Sequence, residues 1–363
     1  MSNFKQKSGI VELMRFLFAV VIVIYHFLRK LKIAHALGDV SYKFFNSGYI
    51  GVEFFFLLSG LLMAASISRQ IQSTGPSRQL GTDTLQFVGK KYMRIFPYHV
   101  MAFVPLLIIR IVGKRIFDPV KLLAYIGKSI PSFFLIQKFG WSWKSVKVNG
   151  AEWYLSAMFI GMLVLYPLCR RYYDLFTRLI GPFGGLALLG LLYHKFGTFV
   201  GQERWFEFTM TCVLRAMAEM GIGCGLYEFS RSLSTWTVSE KQASRLTALE
   251  YFCFFCGLLY SALNIPSKYE IVAIGVMSVG LVLAFSGLTH DTRFNTDWAY
   301  RLGSYSMPMY LAQLIGIFSV VYFFDFLPYK AKVLLTAILV ALATALVKRG
   351  GDRLLERNQA HVR

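Results

Sequence analysis

The sequence predicts an all-α, polytopic transmembrane helical bundle of about ten spans. Three observations carry that expectation. Hydrophobic residues make up 56% of the 363-residue chain and charged residues only 16%, too few charges for the surface of a soluble protein of this size. The apolar residues gather into runs of about twenty, the length a helix needs to cross roughly 30 Å of hydrocarbon. The basic residues concentrate in the short connections on one side of that pattern, as the positive-inside rule requires. An ordinary soluble enzyme, a disulfide scaffold and a disordered chain are excluded on the same grounds.

The first run, 10–31, carries Arg15 and His26 and is long, without a small-residue cleavage site, so it reads as a span and not as a secretory signal. The second, 47–68, leads through Phe54, Phe55 and Phe56 to Ser59 and Gly60, small residues that let a helix or a ligand come close. The third, 93–113, follows the basic cluster Lys90, Lys91 and Arg94, closed by Pro97 and Tyr98. The stretch 119–136 is apolar but broken by Lys121, Lys128 and Pro131, which predicts an interfacial or re-entrant segment. The fourth run, 151–169, opens on Trp153 and Tyr154, residue types that favour the membrane interface. Runs at 179–194, 207–229, 248–264, 270–288, 303–324 and 330–347 complete the ten.

With the N-terminus inside, residues such as Arg69, Arg94, Arg170, Arg171, Arg178 and Arg231 fall on the cytoplasmic side, and an even span number puts both termini there. One transmembrane domain over 1–350 is expected, with a short cytoplasmic tail at 351–363. The net charge of +20 then reflects topology and contact with the anionic lipid bilayer, not nucleic acid. Cys253 and Cys256 form a CxxC inside an apolar run with no second pair and no nearby His, so neither a redox nor a zinc site is expected. The six His are scattered and no metal-ligand spacing occurs.

Ionisable groups at membrane depth are costly and mark function by default. Arg15 and His26 are eleven residues apart, so on a helix they share a face within about 20° and stand about 16 Å apart along the axis. A fixed cation nearer the cytoplasm and a titratable base farther in suit an anionic ligand entering by that side. Arg15 alone would simply snorkel to lipid phosphate. Lys91 and Arg94 offer phosphate contacts at the cytoplasmic mouth, or plain anchoring. Arg215 and Glu219, four apart, can neutralise each other on one face. Glu53 lies where it could meet His26, and His99 has no obvious partner.

Taken in order, these segments resemble acyltransferase family 3, the integral membrane acyltransferases that act on carbohydrate. The matching residues are Arg15 through His26, GVEFFFLLSG at 51–60, Arg94 with Pro97 and Tyr98, WYL at 153–155 with Tyr166-Pro167, and LGSYSMPMYLAQ at 302–313. The late signature departs from the family's at Gln313, where His is usual, and at Met307, where Tyr is common. Met158 stands where many relatives carry an acid.

The resemblance implies transfer of an acyl group, by default acetyl, from cytoplasmic acyl-CoA to a hydroxyl of a carbohydrate or glycolipid acceptor, in a bacterial cytoplasmic (inner) membrane. It implies catalytic roles for His26 and Arg15. Donor and acceptor contacts would come from Lys91, Arg94, Tyr98, Ser59, Phe55, Trp153 and Tyr154. No permanently bound cofactor is expected, with acetyl-CoA serving as a substrate. The alternative is a transporter of a small anionic or acylated solute, which inverted repeats and broken helices would favour; a non-catalytic scaffold would instead seal Arg15 and His26 against each other.

Overall fold

The computed structural model describes residues 7–31, 44–75, 77, 79–140, 145–198, 204–290 and 293–360. They form helices α1 (Gly9–Lys30), α2 (Gly51–Thr74), α3 (Leu80–Gly113), α4 (Pro119–Phe133), α5 (Trp153–Arg171), the single turn α6 (Tyr173–Leu175), α7 (Gly181–Phe196), α8 (Thr211–Leu233), α9 (Glu240–Ala262), α10 (Glu270–Ser286), α11 (Asp297–Phe323) and α12 (Tyr329–Ala360). A π turn, Phe176–Ile180, leads into α7. The one sheet among the described residues is a short hairpin, Trp205–Phe206 against Thr209–Met210.

Each of the ten expected runs falls on a helix, and eight helical segments are long and apolar enough to cross a membrane. α8 and α9 are not among the eight because charged residues lie along them. α8 buries most of its own: Arg215, Glu219 and Glu228 are all inside the bundle. α4 has 15 residues, about 22 Å at helical rise, too short to cross roughly 30 Å. Asp118 caps it by accepting from the Lys121 N–H at 2.8 Å. Val120, Leu123, Ile126 and Ile130 are exposed on α4 while Tyr125 and Ser129 are buried. α3 begins at Leu80, well before the expected 93.

α12 runs on through 347 to Ala360 where a tail was expected. Two contacts explain the continuation. Lys348 reaches Asp352 one turn later at 2.5 Å. Gly351 lies flat against the Tyr98 ring of α3, where a Cβ would overlap the ring. Residues 361–363 of the expected tail lie outside the described residues.

Two packing events position the site. α2 crosses α8 at backbone contact: Gly60 faces the Met220 carbonyl and Gly223 the Leu57 carbonyl, and a Cβ at either glycine would overlap that carbonyl. This crossing brings Glu53, at the start of α2, onto Arg215 of α8. Arg215 Nε donates to Glu53 Oε2 at 3.0 Å and to Glu219 Oε1 at 3.1 Å. Glu53 therefore meets Arg215 and not His26 as anticipated, because the glycine crossing turns the first turn of α2 toward α8. The expected Arg215–Glu219 pair is present, and all three side chains are within 5% of full burial.

The second event is the parallel packing of α1 on α11. The Gly9 N–H donates to Asn295 Oδ1 at 2.9 Å. Farther along, Glu12 lies on Gly303, His26 meets Gln313, and Lys30 stands 6.0 Å from the Phe318 ring centroid.

Candidate active site

Arg15 and His26 lie on one face of α1, and the residues between them on that face, Ala19 and Ile22, are fully buried. The face therefore points into the bundle. Phe18 stacks on Phe54 of α2 at 4.7 Å, and Ile22 packs on Gly51. The two polar groups do not touch each other. Each is held by its own support, and both supports rest on α11.

His26 Nδ1 lies 3.0 Å from the Ile22 carbonyl and 3.1 Å from Gln313 Oε1. The tautomer follows from the partners. A backbone carbonyl can only accept, and Gln313 uses its Nε2 to donate to the Tyr310 carbonyl at 2.8 Å, which leaves Oε1 facing the ring. Nδ1 is thus the protonated nitrogen, shared between two acceptors. Nε2 keeps its lone pair and has no protein partner among the described residues. An imidazole fixed this way presents a proton acceptor at Nε2.

Arg15 Nη1 donates to Glu12 Oε2 at 2.6 Å. Glu12 in turn occupies the space left by Gly303; a Cβ there would overlap the carboxylate. Lys91 of α3 lies within electrostatic reach of both Arg15 and Arg94. Lys91 and Arg15 are half-buried and Arg94 is exposed, so three cations from α1 and α3 gather at the edge of the site, with Glu12 bonded to Arg15. Such a group attracts an anion, and its guanidiniums suit phosphate oxygens.

The aromatic residues form a continuous wall. Phe55 is the half-buried member of its triplet, while Phe54 and Phe56 are fully buried. Phe55 lies 6.2 Å from Tyr154 and Phe56 lies 4.5 Å from it. Trp153 is 6.1 Å from Phe56 and under the Arg215 guanidinium at 5.9 Å, so it serves the buried ion cluster more than an open surface. The Tyr154 and Ser59 hydroxyls are 3.3 Å apart, and Ser59 Oγ is 3.6 Å from Met158 Sδ. Arg15 is within electrostatic reach of Tyr154. Ser59, Tyr154, Phe55 and Arg15 therefore share one neighbourhood with Lys91 at its edge. Tyr98 does not join them: its hydroxyl donates to Asp352 Oδ1 of α12 at 2.6 Å, because Gly351 draws the ring onto that helix.

Sequence reasoning missed several supports. His99, expected to lack a partner, is fully buried with Nδ1 at 2.9 Å from Glu152 and Nε2 at 2.9 Å from the Phe133 carbonyl. Asn149 Nδ2 donates to Glu152 Oε1 at 2.9 Å and to the Leu311 carbonyl at 3.0 Å, and the Tyr310 hydroxyl donates to the Ala151 carbonyl. This network ties α3, the end of α4 and the turn before α5 to the stretch of α11 that carries Gln313. Glu12 and Gly303 were likewise unassigned. The usable signal was Gln313 itself, standing at the last position of the late signature.

One comparison with known proteins bears on the chain. A family model described as an acyltransferase domain, acyltransferase family 3, matches residues 9–347, which is nearly the whole chain. The chain belongs to acyltransferase family 3. No curated protein and no solved structure matches it. The match runs from the start of α1 into α12 and so takes in both halves of the site, α1 and α11. This membrane acyltransferase thus carries its Arg15–His26 face and its Glu12 and Gln313 supports inside the matched domain.

Proposed function

We propose that the protein moves an acyl group, acetyl by default, from acyl-CoA to a hydroxyl of a carbohydrate or glycolipid acceptor. One observation carries the reading: the His26 Nδ1 proton is committed to Ile22 and Gln313, so Nε2 is left as a base on the helix face that also presents Arg15. A hydroxyl attacking a thioester needs such a base. In the proposed step the acceptor oxygen bonds to the thioester carbon and its proton passes to His26 Nε2. The carbon–sulfur bond then breaks and the proton goes on to the departing CoA thiolate, restoring neutral imidazole.

Arg15 steadies the developing negative charge or the pantetheine end, with Glu12 holding the guanidinium in place. Lys91 and Arg94 take the CoA phosphates. Phe55, Tyr154 and Ser59 line the path of the acyl group or sugar, and Trp153 backs that wall. Tyr98 acts at one remove, locking α3 to α12. The distribution of basic residues supports an orientation with both termini and the CoA entrance on the cytoplasmic side of the membrane, which we take to be a bacterial inner membrane.

The test is mass spectrometry of cell-envelope glycans from cells with the wild-type chain, with none, and with His26→Ala at equal membrane abundance. Wild type should add acyl groups that the other two lack. Unchanged glycans, or full acylation by His26→Ala, would overturn the reading.

A further inference from the structure

A cavity of about 720 Å³ opens away from the His26 site, between the later turns of α2 and α8, the π turn before α7 and the connection from α8 to α9. Its lining on α2 includes Leu62, Ala65 and Arg69, which lie on a different face of that helix from Ser59. The apolar side is formed by Leu62 and Trp236, both exposed, with Phe285 behind them. Leu62 is exposed on a helical segment long and apolar enough to span a membrane.

The polar side is cationic. Arg69, Arg178 and Arg231 line it with one carboxylate, Glu228. Arg178 Nη2 and Arg231 Nη2 both donate to the same oxygen, Glu228 Oε1, at 3.0 and 2.8 Å. Each guanidinium keeps further N–H donors for another acceptor. Asp174, exposed and outside the lining, stands 4.0 Å from Arg178. Arg69 is exposed and pairs with no acid among the described residues. The lining therefore carries two more positive charges than negative ones beside an apolar wall, toward the Thr74 end of α2.

We propose that this cavity is a second binding site, for the phosphate group of an amphiphile, independent of the acyl-transfer reading. The guanidiniums of Arg69, Arg178 and Arg231 take the phosphate oxygens. The apolar part of the same molecule lies along Leu62 and against the Trp236 ring. Glu228 holds two of the guanidiniums in register so that they converge on one anion. Two sources carry this chemistry: a phospholipid headgroup arriving from the bilayer, and the nucleotide end of CoA arriving from water.

The experiment uses the purified full-length protein in detergent. One arm measures retention of phosphatidylglycerol against phosphatidylcholine by native mass spectrometry. The other titrates CoA calorimetrically. Both are repeated with Arg69→Gln, at an exposed residue without a partner whose loss does not threaten the fold, and with Trp236→Ala. Preferential retention of phosphatidylglycerol that weakens about tenfold in Arg69→Gln supports the site and names the lipid source. The same loss for CoA, with no lipid preference, supports it and names the soluble source. If neither probe's binding responds to either substitution, the proposal is wrong.

Discussion

His26 shows how one residue's chemistry is set by its neighbours. The Ile22 carbonyl is a helix-internal acceptor that any residue four positions on would face, but Gln313 comes from the far end of the chain at 3.1 Å. Together they fix which nitrogen bears the proton, the same kind of second contact that orients catalytic and metal-bound histidines. Gln313→Leu removes one acceptor and the grip on the Tyr310 carbonyl. It should lower kcat by about 10–100-fold while leaving KM for the acyl donor unchanged. Gln313→Glu keeps an acceptor at that place and should retain more activity than Gln313→Leu. Equal kinetics for wild type and Gln313→Leu would show that the contact does not position the ring. Glu12 does the same service for Arg15, and Gly303 makes room for it.

At the scale of elements, the crossing of α2 on α8 decides where the site can be. Gly60 and Gly223 allow the two backbones to meet, and the Arg215–Glu53–Glu219 cluster closes over the crossing. Three charges so deeply buried depend on one another; removing one partner of such a group costs about 3–5 kcal/mol. Gly223→Ala puts a methyl group into the Leu57 carbonyl and must push the helices apart or bend one of them. The expected cost is about 1–3 kcal/mol, read as a lower Tm of the detergent-solubilised protein. A Tm equal to wild type would mean the crossing is looser than the backbone contact indicates. The same crossing explains why Glu53, immediately before the Phe triplet, is spent on Arg215 and is not available to His26.

At the scale of the molecule, the two ends of the chain are built into one wall. α1 lies parallel to α11, and α12 closes over α3 by Tyr98, Gly351 and Asp352. Residues 350–352 are therefore part of the bundle's frame. Ending the chain after Arg349 removes the acceptor of the Tyr98 hydroxyl and the partner of Lys348, a charged hydrogen-bonded contact worth about 1–3 kcal/mol. The shortened protein should unfold at lower temperature and accumulate less in the membrane; unchanged Tm and abundance would mark the segment as a dispensable extension. The cations Arg94, Lys91 and Arg15 and the base at His26 are joined at this scale, since they come from α3 and α1, and Arg15 and His26 depend on α11 for their orientation.

The amino-acid sequence by itself determined what depends on short range. Hydrophobicity summed over twenty residues located the spans, and the helical period placed Arg15 and His26 on one face, because both quantities need only neighbouring residues. The ordered family motifs, read along the same line, carried the resemblance to the family. Tertiary structure alone decided the partners: Gln313 for His26 across 287 positions, Glu53 for Arg215 across 162, and Asp352 for Tyr98 across 254. A hydrogen bond is directional and ends within about 3.5 Å, so its partner is fixed only when helices distant in the chain have packed, and no local pattern of residues carries that information.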